Sequence, residues 1–257
     1  MIVVDNIWKT FKLSRLQKRE RANGGHSKRI HAVAGVSFAC LPGRIFTLLG
    51  PNGAGKTTTL RMIATLLKPT KGSITVAGYD VKKQGQEVRR KLGFLTGTTK
   101  LYERLTPYEL VKYYSDLHGM PKAKFTQRCE KLFELLDMNE FSKRRIGKLS
   151  SGMRQKVSIA RTMIHDPDVV VFDEPTVGLD VVTAKNIIGL IRSCREDGKT
   201  VIFSTHIMGE VSLLSDDLAI IHKGLLAYCG PYDKFRQEMQ RDSLEEEFIR
   251  LLEEPQQ

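Results

Sequence analysis

The chain has 257 residues, 41% hydrophobic and 27% charged, with a formal net charge of +12. This describes a globular protein of one domain, or of one domain with a subdomain, and leaves room for a sizeable core. No apolar run approaches a membrane span, Asp5 interrupts the opening residues before an apolar signal region is built, and the four cysteines (Cys40, Cys129, Cys194, Cys229) are scattered without a CxxC spacing. A spanning protein, a disulfide frame and a zinc or iron centre are therefore not expected, and the thiols read as reduced and intracellular. The basic balance suits nucleic acid, an anionic membrane surface, polyphosphate or a solvated surface, and composition does not choose among them.

Met1 to Val4 are apolar and precede Asp5 and Asn6, the pattern of an edge strand. Lys12 to Arg29 then carries Lys12, Arg15, Lys18, Arg19, Arg21, Lys28 and Arg29 against a lone Glu20, around Asn23-Gly24-Gly25. It reads as an exposed hairpin tip or loop, with a solvated charge run favoured over a lipid-headgroup or nucleic-acid contact. Two β-like runs between Val33 and Leu49 flank the Pro42-Gly43 turn. The second, Ile45 to Leu49, leads into GPNGAGKTT: Gly50, Pro51, Asn52, Gly53, Ala54, Gly55, Lys56, Thr57 and Thr58. Leu60, Ile63, Ala64 and Leu67 follow at helical spacing, so the glycines lie on a strand-to-helix turn. That context lets Gly53 and Gly55 aim backbone N–H groups inward and adds the positive end of a helix dipole. Lys56 supplies charge for the β and γ phosphates of a nucleoside triphosphate, and Thr57 a hydroxyl for Mg²⁺.

Ser73 to Ala77 predicts a short strand, followed by a polar link and a run from Lys91 to Leu95. From about Phe94 to His165 the texture is helical. Thr106-Pro107-Tyr108-Glu109 is a helix start, a second helix is predicted over 121–136, and a third begins near Ser151 with Met153, Val157, Ala160 and Ile164 on one stripe. Val169 to Phe172 is a continuous apolar run, as in a parallel strand buried on both faces. With a helix over 183–195 and the run Thr200 to Phe203 it makes a βαβ unit. Leu218 to His222 and Leu225 to Cys229 flank Lys223-Gly224 as a hairpin. Ser243 and Glu246 form a capping box before a last amphipathic helix.

Two further motifs carry chemistry. Val169 to Phe172 ends in Asp173 and Glu174, and buried acids are costly without a task. A parallel strand delivers them to the same rim as the glycine turn. Asp173 suits Mg²⁺, held through water. Glu174, facing the other way along the strand, suits a base for an attacking water. In LSSGMRQ, Ser150, Ser151 and Gly152 open a helix and make an anion-binding terminus.

GPNGAGKTT, LSSGMRQKVSIARTMIHDP, VVVFDEPTVGLD and STH, in this order and spacing, resemble the ATP-binding subunit of an ABC transporter over essentially the whole chain. The resemblance implies an α/β P-loop NTPase fold with a mixed-sheet core, an N-terminal antiparallel β part and an inserted helical subdomain. Its implied division is one ABC ATP-binding domain over 1–257, with the α/β core at 1–93 and 166–240, the helical subdomain at 94–165 and a C-terminal helix at 241–257. Gly50 to Thr58 becomes the Walker A loop, Asp173 the Walker B aspartate and Glu174 the catalytic glutamate. Ser150, Ser151, Gly152 and Met153 become the signature motif, Val177 to Asp180 part of the D-loop, and His206 the switch histidine contacting the γ-phosphate. Phe11 stands where the family stacks an aromatic on adenine. The implied enzyme is a transport-coupled ATPase using ATP and Mg²⁺. Its implied partners are a second ABC ATPase subunit, identical or homologous, packed head to tail, and an integral membrane permease that holds it at the cytoplasmic face of the cell membrane. No nucleic acid is expected.

Two departures stand out. Ser151 replaces the signature's second glycine and Met153 its glutamine. Gly97 stands where the family places a Mg²⁺-touching glutamine, leaving Thr96, Thr98 or Thr99 as hydroxyl donors. GFLTGTTKLYERLTPYEL with HGM is most like the ATPase components of bacterial sodium-extruding (ABC-2 type) systems. Drug, antibiotic and polysaccharide exporter ATPases are the alternative, and a soluble ABC ATPase acting on nucleic acid or ribosomes a further one.

Overall fold

The computed structural model describes residues 1–12, 29–96 and 100–253. Most of the basic run (13–28) and Gly97, Thr98 and Thr99 lie outside them. β1 (Ile2–Lys12) and β2 (Arg29–Cys40) pair antiparallel, from Ile2 opposite Cys40 to Lys12 opposite Arg29. Beyond the Pro42-Gly43 turn the chain leaves that sheet. β3 (Ile45–Leu49) is buried at every residue and runs into α1 (Lys56–Ile63). β4 (Lys71–Val76) returns to the free side of β1, and β5 (Tyr79–Asp80) completes a four-stranded sheet of order β2-β1-β4-β5. The expected edge strand at Met1 to Val4 is thus an inner strand. Ile2, Val4 and Ile7 are buried, and β1 is hydrogen-bonded to β2 on one side and β4 on the other.

The stretch read as a polar link contains α2 (Gly85–Lys91), with Val88 as its buried residue, and leads into β6 (Leu92–Thr96). α3 (Pro107–Leu117) has the predicted capping box: Glu109 N donates to Thr106 Oγ1 at 3.2 Å and Thr106 N to Glu109 Oε2 at 2.8 Å. α4 (Lys122–Leu135) and α5 (Ser151–Met163) follow, then β7 (Val169–Asp173), α6 (Val181–Glu196) and β8 (Thr200–Thr205). α7 (Met208–Leu214) leads to the hairpin of β9 (Asp217–His222) and β10 (Leu225–Pro231), and α8 (Tyr232–Glu238) and α9 (Leu244–Glu253) close the described chain.

The second sheet has six strands in the order β10-β9-β3-β8-β7-β6, parallel except for β10. Alternation along β7 explains its unbroken apolar run. Val170 and Phe172 pack with Leu110, Phe125, Val157 and Ile187 from the helices, while Val169 and Val171 pack with Ile2, Ile74 and Leu60 toward the antiparallel sheet. Each such side chain contributes roughly 1.5–3 kcal/mol on burial. Parallel pairing aligns the strand ends: Leu49 stands opposite Thr205, Ser204 opposite Asp173, and Asp173 opposite Thr96. Every strand that supplies chemistry therefore ends on one rim.

Candidate active site

The glycine turn emerges from this rim between β3 and α1. Gly53 and Gly55 have φ of +80° and +113°, a region open to glycine at little cost. A Cβ on Gly55 would also lie 2.5 Å from the Ala32 carbonyl oxygen, so strand β2 presses directly on the loop. Gly224, in the β9–β10 turn, donates its N–H to the Ala54 carbonyl and accepts from Ala34 N, both at 2.8 Å. Ala32, Pro51 to Thr58 and Glu174 line one recess.

Lys56 is buried at its centre, its ammonium donating to the carbonyls of Gly50 (2.5 Å) and Pro51 (3.1 Å). The same nitrogen lies 3.3 Å from Glu174 Oε1. Thr57 Oγ1 donates to Asp173 Oδ1 at 2.9 Å, and Ser204 Oγ to the same oxygen at 2.8 Å. Asp173 is buried, so these two hydroxyls replace its lost hydration.

Glu174 lies beyond the end of β7 and takes φ +49°, an uncommon value for a side-chain-bearing residue that costs of order 1–3 kcal/mol. Its N–H is held by Ser204, at 3.2 Å from the carbonyl oxygen and 3.1 Å from Oγ. Glu174 does face different neighbours from Asp173, as expected, but through this left-handed kink rather than through strand alternation. Its Oε1 sits between Lys56 Nζ and His206 Nδ1, the latter at 3.2 Å.

The signature-like segment stands apart from this group. Ser150 caps α5, accepting from Met153 N at 3.2 Å, and Ser151 is exposed. A Cβ on Gly152 would come within 3.1 Å of Thr183 Oγ1 and 3.4 Å of Asp180 Oδ2, so its bareness lets the starts of α5 and α6 approach. Asp180 caps α6, accepting from Thr183 N at 2.9 Å and Thr183 Oγ1 at 2.8 Å, and the backbone hydrogen bond holds its carboxyl below the usual range. Gln155 Nε2 donates to Pro175 O at 2.9 Å. Ser151, Arg154, Gln155, Val177 and Gly178 line a second recess, which shares Glu174 with the first.

A family model described as "ABC transporter" matches residues 33–177. The ABC transporter ATP-binding protein NatA of Bacillus subtilis is 42% identical over 88% of this chain and 92% of its own length. The chain belongs to the ABC transporter family. The structure of an ATP-binding subunit of an ABC transporter superposes with a TM-score of 0.84 at 25% identity, over 98% of this chain and 99% of that one. A dimeric ATP-binding cassette in a post-hydrolysis state, bound to ADP and phosphate, superposes with a TM-score of 0.77 at 26% identity, over 90% and 98%. As a member of this family the chain is an ATP-binding and ATP-hydrolysing subunit. Among the described residues no helix is long and apolar enough to cross a membrane.

Within this cassette Phe11 is the penultimate residue of β1, opposite Ile30 and exposed, with the Lys9 ammonium 5.2 Å from its ring centroid. Trp8 is engaged elsewhere, donating its indole N–H to Asn6 Oδ1 and meeting His31 edge-on. Phe11 is not among the residues of the Lys56 recess, although Ala32, two positions along β2 from Ile30, is. Sequence reasoning missed Ser204, which holds both Asp173 and the Glu174 backbone. Its place in the run ending STH carried the only available signal. It also missed Ala32 and Gly224, whose contacts with the loop leave no local trace.

Proposed function

We propose that this chain is the ATPase of an exporter, working as one of two head-to-tail subunits beneath a separate integral membrane permease at the cytoplasmic face of the cell membrane. The observation that carries the reading is the split site. Lys56, Asp173, Glu174 and His206 converge on one rim, while Ser151 lines a neighbouring recess and none of Ser150 to Met153 lines that of Lys56. A second subunit would bring its own Ser150 to Met153 over the first subunit's loop and complete each site. Val181 and Val182, beside Asp180, are 85% and 68% exposed, apolar surface suited to that contact. The dimeric relative bound to ADP and phosphate supports the same arrangement.

In this reading the loop N–H groups and Lys56 bind the phosphates, Lys56 exchanging its loop carbonyls for β and γ oxygens. Water attacks the γ-phosphorus, Glu174 accepts the water proton, and the bond to the β-phosphate oxygen breaks, its electron pair leaving with ADP. His206 holds Glu174 through Nδ1 and faces the γ-phosphate. The donor set suits Mg²⁺, because Thr57 and Asp173 offer hard oxygens 2.9 Å apart beside Lys56. When bound, the ion would neutralise charge on the β and γ phosphates. Phe11 would stack on adenine. The block 94–165 would act as the helical subdomain, set between core segments 1–93 and 166–240 and followed by the helix of 241–257. Gly97 would leave coupling toward the permease to neighbouring hydroxyls such as Thr96, which stands opposite Asp173.

Sodium is the cargo this reading favours, on the resemblance of the 93–110 stretch to sodium-extruding systems, with a drug or antibiotic as the alternative. Affinity capture of the tagged chain from detergent-solubilised membranes tests the class. Co-purification of a multi-span membrane protein is expected, and recovery of ribosomes or DNA with no membrane protein would overturn it. Sodium efflux from vesicles holding the captured complex, measured against efflux of a cationic drug, tests the cargo.

A further inference from the structure

Behind the Glu174–His206 pair lies a carboxylate with no assigned task. Glu210, in the first turn of α7, is buried to 7% exposure and has no ion-pair partner among the described residues. Its two oxygens are both occupied. Thr176 Oγ1 donates to Oε1, and Thr205 Oγ1 donates to Oε2 at 2.5 Å. Thr176 lies two residues after Glu174, and Thr205 immediately precedes His206. Thr205 Oγ1 also accepts from Ile207 N at 3.0 Å, which closes the turn that carries His206. If packing alone mattered, an apolar side chain would fill this space at lower cost than a buried carboxylate. A two-oxygen acceptor is the group able to grip both hydroxyls at once.

We propose that Glu210 is a positioning residue for ATP hydrolysis, clamping the segment after Glu174 to the turn that presents His206. Through it the exit of the Walker B strand and the switch histidine keep one spacing, the one that sets His206 Nδ1 3.2 Å from Glu174 Oε1. Motion of Thr176, at the head of the segment leading to Asp180, is then transmitted to His206 by side-chain hydrogen bonds as well as through the sheet. The proposal rests on the reading of Glu174 and His206 as the hydrolytic pair.

The test compares steady-state ATPase activity and equilibrium binding of a fluorescent ATP analogue for the full chain carrying Glu210→Ala, Glu210→Gln, Thr205→Val, Thr205→Ser and Thr176→Val. Glu210→Ala is expected to lower kcat by about tenfold or more while nucleotide affinity stays within about twofold. Glu210→Gln keeps one acceptor oxygen and should fall between. Thr205→Val should reproduce the loss and Thr205→Ser restore it, which covers the case in which Glu210→Ala does not fold. Because Glu210 acts through His206, adding Glu210→Ala to His206→Ala should cost less than about threefold more. A folded Glu210→Ala protein with parent kcat, or a loss that multiplies in full with His206→Ala, overturns the positioning role while leaving the pair intact. Parent turnover in both Glu174→Gln and His206→Ala would instead remove the pair, and the proposal with it.

Discussion

Glu174→Gln separates binding from chemistry. The amide keeps the volume of the side chain and an oxygen that accepts from Lys56, so the kink at φ +49°, fixed by Ser204, has no reason to relax. What is lost is a carboxylate able to take a proton, at a position that faces both Lys56 and His206. General-base assistance is worth ~10²–10⁴-fold, so turnover should fall by that factor, about 2.7–5.4 kcal/mol in activation free energy. Binding moves the other way. Glu174 places a negative charge 3.3 Å from the ammonium that has to meet the phosphates, and removing it relieves repulsion toward the triphosphate. ATP affinity should be equal or tighter, and with hydrolysis blocked the ATP-bound pair of subunits should accumulate. Phosphate release gives the rate, and size-exclusion chromatography in ATP with Mg²⁺ gives the assembly. Hydrolysis at the parent rate would show that Glu174 is not the base. A slow variant that stays monomeric in ATP would break the argument for a site shared between subunits.

Lys56→Ala removes the buried ammonium at the centre of the loop and should weaken ATP binding by at least about a hundredfold in calorimetry, given ~1.5–3 kcal/mol for a charge-assisted hydrogen bond and more than one made; unchanged affinity would count against the phosphate-loop reading. Gly55→Ala sets a methyl 2.5 Å from the Ala32 carbonyl at φ +113°, and should abolish ATP binding and lower the melting temperature, whereas a normal melt with parent affinity would show that β2 yields. His165 tests acid stability: burial, the neighbouring His118 and Arg128 lower its pKa from 6.5 to about 4, its Nε2 donates to the Leu92 carbonyl and its buried Nδ1 has no partner among the described residues. The unfolded chain therefore takes up this proton first, so stability should fall as pH drops from about 6.5 to about 4, by ~3 kcal/mol, and then level off. His165→Phe should flatten that slope in urea titrations run across this pH range, and an unchanged slope would refute the assignment.

Motifs whose physics is local were legible in the sequence. Val169 to Phe172 read as a strand buried on both faces because no polar residue interrupts it, and two apolar clusters do claim its alternate side chains. Thr106 and Glu109 announced a helix start because capping acts over three residues. Met1 to Val4 misled because an apolar run reports burial and not whether one or both edges of a strand are paired. That was decided by β4, some 70 residues on. The seven-residue helices α2, α7 and α8 went unread because their length spans barely two turns, too few for periodicity to show. The geometry that makes the site chemical belongs to the same nonlocal class. Asp173-Glu174 reads as two acids at a strand end, but the turn that sends one toward Thr57 and the other toward Lys56 and His206 is made by Ser204, thirty residues away on the neighbouring strand. Glu210 was invisible for the same reason: in sequence it is one acid in a short, mostly apolar helix, and only the fold brings Thr176 and Thr205 to its two oxygens. Residue types announce a reaction when their spacing along the chain is short, whereas the spacing between reacting groups is set by strands that meet only after folding.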